Sequence, residues 1–420
     1  MKLAVIGGGS TYTPELVDGL ARLDETVGVD ELVLFDIDQD RLEVVGAFAE
    51  RMLRHRDSTT RLTLSTDKVA TVSDASAVLL QLRVGGQVAR ASDETFPLEC
   101  GCVGQETTGA GGLAKAMRTL PVVLDVAETA RAYAAPGAWI VDFTNPVGIV
   151  TRALLDAGHR AVGLCNVAIG FQRMFAGWLD VPPARVTLDH TGLNHLTWIR
   201  GVHVDGAEVL PRLLEEHGQE LAERVELPRA LFDEIGALPS YYLRYFYAHD
   251  EVVQELIREG TRAEEVMRIE RDLLALYGDP TLVTKPALLD QRGGAYYSEA
   301  AVDLIAALLG ASAAQSQQVA NVRNDGTLPF LPDDAVIETR CTVTTTGATP
   351  LSVSPMDPLM SGLIAHVSAY EELALDAALR GGADRVRAAL LAHPLIGQWD
   401  QATRLSDELI ARNREFLPWT

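Results

Sequence analysis

The chain is poor in cysteine. Its 420 residues hold four, Cys100, Cys102, Cys165 and Cys341. These are too few and too unevenly spaced for a disulfide framework, and free thiols fit a reducing cytoplasm. Long apolar runs are missing too. No stretch approaches the roughly 20 residues of a membrane span, and the best one, residues 304–309, is short and preceded by Asp303. The opening run Met1-Lys2-Leu3-Ala4-Val5-Ile6 stops at Gly7 and is too short for a signal peptide. Positive charge is in deficit, with 36 Lys and Arg against 58 Asp and Glu and a net charge of -22. Such a surface repels phosphate backbones and anionic lipids, which argues against nucleic acid and membranes as partners. A local arginine pocket can still hold a small phosphorylated substrate. There is no internal repeat, low-complexity tract or obvious linker.

What is present is a large apolar content, 47% of the residues, enough for a sizeable core and for two domains or one core with a large elaboration. The all-apolar run Leu3-Ala4-Val5-Ile6 reads as a strand buried on both faces. Thr13-Pro14 reads as an N-cap followed by proline at the first helical position, with Leu16, Val17, Leu20 and Leu23 as the helix stripe. Further strands are expected at 32–35, 62–64, 78–82, 139–143 and 161–164, with helical stretches between most of them. This alternation implies a parallel, doubly wound sheet. It fails after residue 166. There 186–197 and 201–209 look like hairpin material, and 263–277 and 298–309 look helical. The expected division is therefore 1–166 and 167–420.

Gly7-Gly8-Gly9-Ser10 follows the first strand at once. Glycines there permit positive φ and let backbone N–H groups approach a pyrophosphate near a helix N-terminus. Gly7 and Gly9 fit the first two positions of G-x-G-x-x-G, and Tyr12 stands in place of the third. Asp36, ending the second strand, is the acid expected on ribose hydroxyls, somewhat beyond the usual spacing. Together these features point to NAD binding. A tight turn without a nucleotide is the bland reading.

In the second half, Cys165-Asn166 closes the sixth strand at the sheet's carboxyl edge, where open α/β sheets bind ligands. Asn194-His195 follows inside a β-like run. One thiolate and one imidazole, with substrate hydroxyls, can hold a divalent metal with open positions. On spacing alone the pair is weak, since a lone Cys is usually a buried small hydrophobe and a lone His a satisfied polar residue. Cys100 and Cys102 lack two further ligands and read as structural. The segment from Pro239 to Tyr247 is dense in tyrosine, which reads as core or, beside a cation, as a base. Arg83, Arg90, Arg262 and Arg292 sit near glycines or loop residues and suit phosphate by geometry.

Taken together, these residues resemble the NAD- and manganese-dependent glycosidases of glycoside hydrolase family four. The likeness runs through Gly7-Gly8-Gly9-Ser10, Asp36, Leu82-Arg83-Val84-Gly85-Gly86 with Arg90, Gly104-Gln105-Glu106-Thr107-Thr108-Gly109, and Thr144-Asn145-Pro146. It continues through Cys165-Asn166, Asn194-His195, Tyr242-Leu243 and Arg262-Ala263-Glu264-Glu265-Val266. It implies an N-terminal Rossmann-like sheet of the lactate/malate dehydrogenase kind, followed by a C-terminal α+β metal and substrate domain. It also implies Cys165 and His195 as ligands of Mn2+ or another divalent metal. Tyr242, or its neighbour Tyr241, is then the base. Arg90, Asn145, Asn166 and Arg262 become contacts to a phosphorylated sugar. Asn166 after the metal cysteine resembles the 6-phospho-β-glucosidase branch, because phospho-α-glucosidases tend to have an acid there. Ala168 departs from that branch, where proline is usual, and the leaving-group acid stays open between a side chain and water.

The implied reaction oxidises carbon 3 of the sugar with NAD+, removes the proton on carbon 2, eliminates the group on carbon 1, adds water and returns the hydride. The tyrosine would need a cation to lower its pKa, the metal and an arginine such as Arg262 being the expected ones. The expected assembly is a cytoplasmic homo-oligomer, a dimer or tetramer. The main rival is an NAD-dependent hydroxy-acid dehydrogenase, which relies on a His–Asp pair and no metal. A non-catalytic NAD sensor is a third reading, against which the Cys165, His195 and Tyr242 set argues.

Overall fold

The computed structural model describes residues 1–22, 28–293, 296–311 and 316–420, with only the backbone of Tyr297. Six strands form the parallel part of the sheet: β1 (Lys2–Ile6), β2 (Glu31–Phe35), β3 (Arg61–Ser65), β4 (Ala77–Leu80), β5 (Trp139–Asp142) and β6 (Ala161–Gly163). They lie in the order 3-2-1-4-5-6, the doubly wound arrangement that the strand–helix alternation implies. β4 and β5 are buried throughout because helices cover both faces, and this is why they are apolar runs up to Asp142 at the end of β5. The run expected at 78–82 leaves the ladder at Leu80. The Leu82 N–H is bonded instead by the Thr144 hydroxyl at 3.0 Å, which turns the segment toward the carboxyl end of the sheet.

Beyond β6 the same sheet continues with antiparallel strands. These are β7 (Val186–Leu193), β8 (Leu196–Val204), β9 (Ala207–Glu208), β10 (Leu238–Pro239), β11 (Ser316–Arg323), β12 (Val336–Thr344) and β13 (Gly347–Pro350). The order runs β6-β11-β12-β7-β8-β10, with β9 on β8 and β13 on β12. The join is the pairing of Asn321 on β11 with Gly163 on β6. The β-like run at 186–197 is thus two strands, and Asn194-His195 is the tight turn between them. His195 takes φ 62 there, a conformation that side chains rarely adopt. Thr13 also departs from expectation. The helix Thr13–Arg22 includes it, and its hydroxyl donates to the Gly8 carbonyl at 2.8 Å instead of capping.

One hydrophobic cluster runs through both halves, from Leu3, Leu79 and Val141 to Ala320, Ile337 and Trp198. A smaller cluster joins Phe48 and Met52 of the helix Gln39–His55 to Ile269, Leu273 and Tyr277 of the helix Arg262–Tyr277. Phe48 and Tyr277 stack with centroids 4.6 Å apart, and the Tyr277 hydroxyl donates to the Thr11 carbonyl at 2.8 Å. This docks the Arg262–Tyr277 helix beside the glycine-rich turn. Phe48→Ala is expected to destabilise the chain by about 3–5 kcal/mol through the cavity it opens. Equilibrium urea unfolding measures this, and a mutant as stable as the parent would contradict the docking role.

Candidate active site

The glycine-rich turn is fixed from three sides. Gly7 has φ 91, and a Cβ on it would meet the Gln81 carbonyl oxygen at 2.7 Å. A Cβ on Gly8 would lie 2.7 Å from Leu34 Cβ, and one on Gly9 2.8 Å from Asp36 Oδ2. The Gly7 and Gly8 N–H groups donate to the Phe35 carbonyl at 2.9 and 2.7 Å. The Asp36 carboxylate accepts from Gly9 N at 2.9 Å and from Asp38 N at 3.1 Å, so it shapes the turn as well as facing the cavity. The Ser10 hydroxyl accepts from Tyr12 N at 3.2 Å. The turn leads directly into the N-terminus of the helix Thr13–Arg22, where backbone N–H groups favour an anion.

Sequence reasoning missed the residue that braces this turn. Glu270 accepts from Thr11 Oγ1 (3.1 Å), Gln87 Nε2 (2.9 Å), Arg292 Nη2 (2.9 Å) and Arg41 Nη2 (3.0 Å), and Arg41 Nε donates to the Gly9 carbonyl at 2.8 Å. Burial pushes the Glu270 carboxyl up, but the Arg292 and Arg41 guanidiniums outweigh it and hold it at about 2. A signal existed, because Glu270 falls in the apolar stripe of Val266, Ile269, Leu273 and Tyr277 on its helix.

The cavity in front of the turn measures about 1220 Å³. Gly7, Ser10, Asp36, Arg90, Asn145, Asn166, His195, Tyr242 and Arg262 all line it, while Gly8, Gly9 and Cys165 lie behind its wall. Cys100 and Cys102 are buried elsewhere, away from this lining. Cys165 ends the β6 segment and Asn166 opens the helix Val167–Leu179. Burial pushes the Cys165 thiol well up, with the Glu338 carboxylate adding to it. The Val167 and Asn166 N–H groups and the Asn194 side chain oppose that by favouring the thiolate.

His195 is pushed down to about 4, mainly by burial, so its imidazole is neutral. Its Nδ1 lies 2.8 Å from Thr107 Oγ1, and that hydroxyl donates to Gln105 Oε1 at 2.7 Å. The Nδ1–H therefore donates to Thr107, which leaves the Nε2 lone pair free for a metal. Among the described residues no group of three or more His, Cys, Asp or Glu forms a closed metal cage. One sulfur and one imidazole nitrogen suit instead a divalent ion with open positions. Asn145 Oδ1 is buried in the same wall with no partner, an acceptor that awaits a ligand group.

Tyr242 lies face to face with His195, centroids 3.6 Å apart at 11°, and Tyr241 is tilted against it at 4.5 Å. Burial pushes the Tyr242 hydroxyl well above its ordinary value, and the neighbouring Tyr241 and Cys165 add to this. The arginine facing Tyr242 is Arg90, not Arg262. Arg262 is half exposed, paired with Glu265, and donates to the Gln291 carbonyl at 2.5 Å. Arg90 is buried, with Nε 2.7 Å from Glu94 and 3.5 Å from Glu106. Glu106 also accepts from Arg83 and, at 2.7 Å, from Lys115. Lys115, not singled out from sequence, is pushed down to about 8, by burial first and then by Arg83. Glu94 Oε2 accepts from the Ala263 N–H at 2.7 Å, which ties the cation cluster to the start of the Arg262–Tyr277 helix.

The profile of the family 4 glycosyl hydrolases matches residues 2–181, and that of their C-terminal domain matches residues 190–396. A probable 6-phospho-beta-glucosidase of Bacillus subtilis is 36% identical over 433 residues, covering 100% of this chain and 97% of the relative. The solved 6-phospho-beta glucosidase of Thermotoga maritima with manganese, NAD+ and glucose-6-phosphate superposes with a TM-score of 0.91 at 35% identity, covering 99% of each chain. Malate dehydrogenase from Salinibacter ruber superposes at 0.56 and 17% identity over 90% of this chain and 97% of its own, a likeness of fold alone. By profile, identity and coverage, the chain belongs to the family 4 glycosyl hydrolases.

Proposed function

We propose that the chain hydrolyses 6-phospho-β-glucosides, with NAD+ and Mn2+ or another divalent metal as cofactors. One observation carries this reading. The glycine turn with Asp36 and the stacked His195–Tyr242 pair open on a single cavity, with Cys165 directly behind it. A hydroxy-acid dehydrogenase would need a carboxylate on its histidine, whereas His195 Nδ1 meets a threonine hydroxyl. In this reading residues 1–166 form the NAD-binding domain and 167–420 the metal and substrate domain. The protein works in the cytoplasm as a homo-oligomer, a dimer or tetramer. Among the described residues no helix is long and apolar enough to cross a membrane.

The cofactors, when bound, supply a reversible hydride acceptor and a Lewis acid for an oxidation–elimination–addition–reduction sequence. The chain supplies the rest. Gly7, Gly8, Gly9 and Ser10 receive the pyrophosphate, and Asp36 receives ribose hydroxyls. Cys165 and His195 hold the metal. Tyr242 takes the proton from carbon 2 of the sugar, and its contact with the His195 ring favours it over Tyr241. Arg90 stands beside Tyr242 and favours the phenolate, the form that accepts this proton and becomes the neutral phenol. Asn145, Asn166 and Arg262 complete the hold on the phosphorylated sugar. Asn166 cannot donate a proton as a carboxylic acid does, so water protonates the leaving group in this scheme.

Stripped enzyme is expected to hydrolyse p-nitrophenyl 6-phospho-β-glucoside only when NAD+ and Mn2+ are both returned, with no steady growth of NADH absorbance. Stoichiometric NADH release would support the dehydrogenase instead. Tyr242→Phe keeps the ring against His195 and is expected to lower kcat by about 10²–10⁴-fold. A phenylalanine variant at the parent rate would make Tyr242 a core aromatic only. Arg262→Ala removes a charge-assisted contact of about 1.5–3 kcal/mol. It should raise KM for the phosphorylated sugar far more than for its unphosphorylated analogue. Equal effects on both sugars would remove Arg262 from the phosphate contacts.

A further inference from the structure

Behind the Cys165–His195 pair lies a carboxylate that the scheme above does not use. Glu338 stands on β12 and is 1% exposed. It pairs with Asn321 of β11 on one side and Gly192 of β7 on the other. Its oxygens accept from His190 Nε2 at 2.9 Å, Asn194 Nδ2 at 2.9 Å and Asn321 Nδ2 at 3.1 Å. The donors come from β7, from the Asn194-His195 turn and from β11. Asn321 is also the residue paired with Gly163, the end of β6, which leads directly to Cys165. Asn194 precedes His195, and its side chain bonds the Cys165 sulfur. Glu338 therefore bonds the turn that carries His195 directly and reaches the segment that carries Cys165 through Asn194 and Asn321, although it is far from each in sequence.

Its charge is as informative as its position. Among the described residues no lysine or arginine pairs with it, and its single ion-pair contact is His190. His190 Nδ1 is buried without a partner. Donors solvate the Glu338 carboxylate, but among the described residues no lysine or arginine neutralises it. Of the buried carboxylates that line the cavity, Glu106 and Glu270 each have at least two cationic partners and Glu94 has Arg90. An unpaired buried charge is costly, and a bound cation would offset that cost.

We propose that Glu338 is a positioning residue for the metal: through Asn194 it fixes the turn that carries His195, and its carboxylate supplies the negative charge on the protein side of the ligand pair. The proposal rests on Cys165 and His195 being the metal ligands. Partners of ligating residues commonly change metal affinity by about 10–100-fold when removed.

The test is direct Mn2+ titration of the chelator-stripped full chain by calorimetry, with NAD+ titrated in parallel. Glu338→Gln keeps the volume and removes the charge. It is expected to raise the Mn2+ Kd by about 10–100-fold and leave the NAD+ Kd unchanged. Asn194→Ala cuts the tether at a less buried position, and a loss in the same direction is expected. Cys165→Ser is the control for the underlying reading. If it binds Mn2+ as the parent does, the ligand assignment itself falls. If it loses Mn2+ while folded Glu338→Gln binds at parent affinity, only the Glu338 proposal is overturned. Loss of NAD+ affinity in step with Mn2+ would mark general disruption and overturn it as well. If Glu338→Gln does not fold, parent-like Mn2+ affinity in Asn194→Ala overturns it.

Discussion

The parallel set of strands ends at β6, and an unpaired edge there would be a liability in any fold. Here β11 closes it, and the contact is tight at one residue. A Cβ on Gly163 would collide with Thr151, Val147 and Asn321. That close approach lets an antiparallel set, β11, β12, β7 and β8, extend the dinucleotide-binding sheet without a break. The segment after β6 carries Cys165, and the β7–β8 turn carries His195. The seam at Gly163 thus brings a thiol and an imidazole about 30 residues apart in sequence to the carboxyl edge of the sheet. Both the metal reading and the placement of Tyr242 against His195 depend on it.

The walls of the cavity are held by buried carboxylates. Glu270 ties the glycine turn to the helix Arg262–Tyr277 through Arg41 and Arg292. Glu94 reaches the N-terminus of the same helix through Ala263. Glu106 gathers Arg83, Arg90 and Lys115 beside His195 and Tyr242. Each network leaves positive charge facing the cavity in a protein whose net charge is -22. In a partly dry cavity that local field outweighs the distant surface, which screening weakens. An anionic sugar phosphate is therefore compatible with an acidic chain.

The parallel half was legible in the sequence because its strands are short, mostly apolar and bounded by turn residues, β3 with its alternating Leu62 and Leu64 being the most polar. The tight turn at Asn194-His195 was not. Only two polar residues interrupt the pattern between Leu193 and Leu196, and neither is the glycine that usually marks such a turn. His195 adopts φ 62 all the same, held by its bond to Thr107 and its stacking on Tyr242. Glu270, Lys115 and Glu338 escaped notice, and Glu106 stood out only as part of a family motif, for another reason. A carboxylate becomes structural through partners such as Arg41, 229 positions from Glu270, and no local pattern announces such a pairing. Cys165 and His195 could be named as ligands only by their likeness to a family, since their spacing alone left the pair ambiguous. The choice of Arg262 as the cation beside Tyr242 failed because exposure sends that side chain to Glu265, while buried Arg90 faces the tyrosine.

The central claim is that the carbon 2 proton of the sugar is removed and replaced during turnover. A two-carboxylate glycosidase leaves that proton untouched. Turnover in D2O followed by NMR of the released phosphosugar tests the difference directly. This account predicts deuterium on carbon 2 of the product. Product that retains its proton there would contradict the assignment of Tyr242 as base and the elimination mechanism with it.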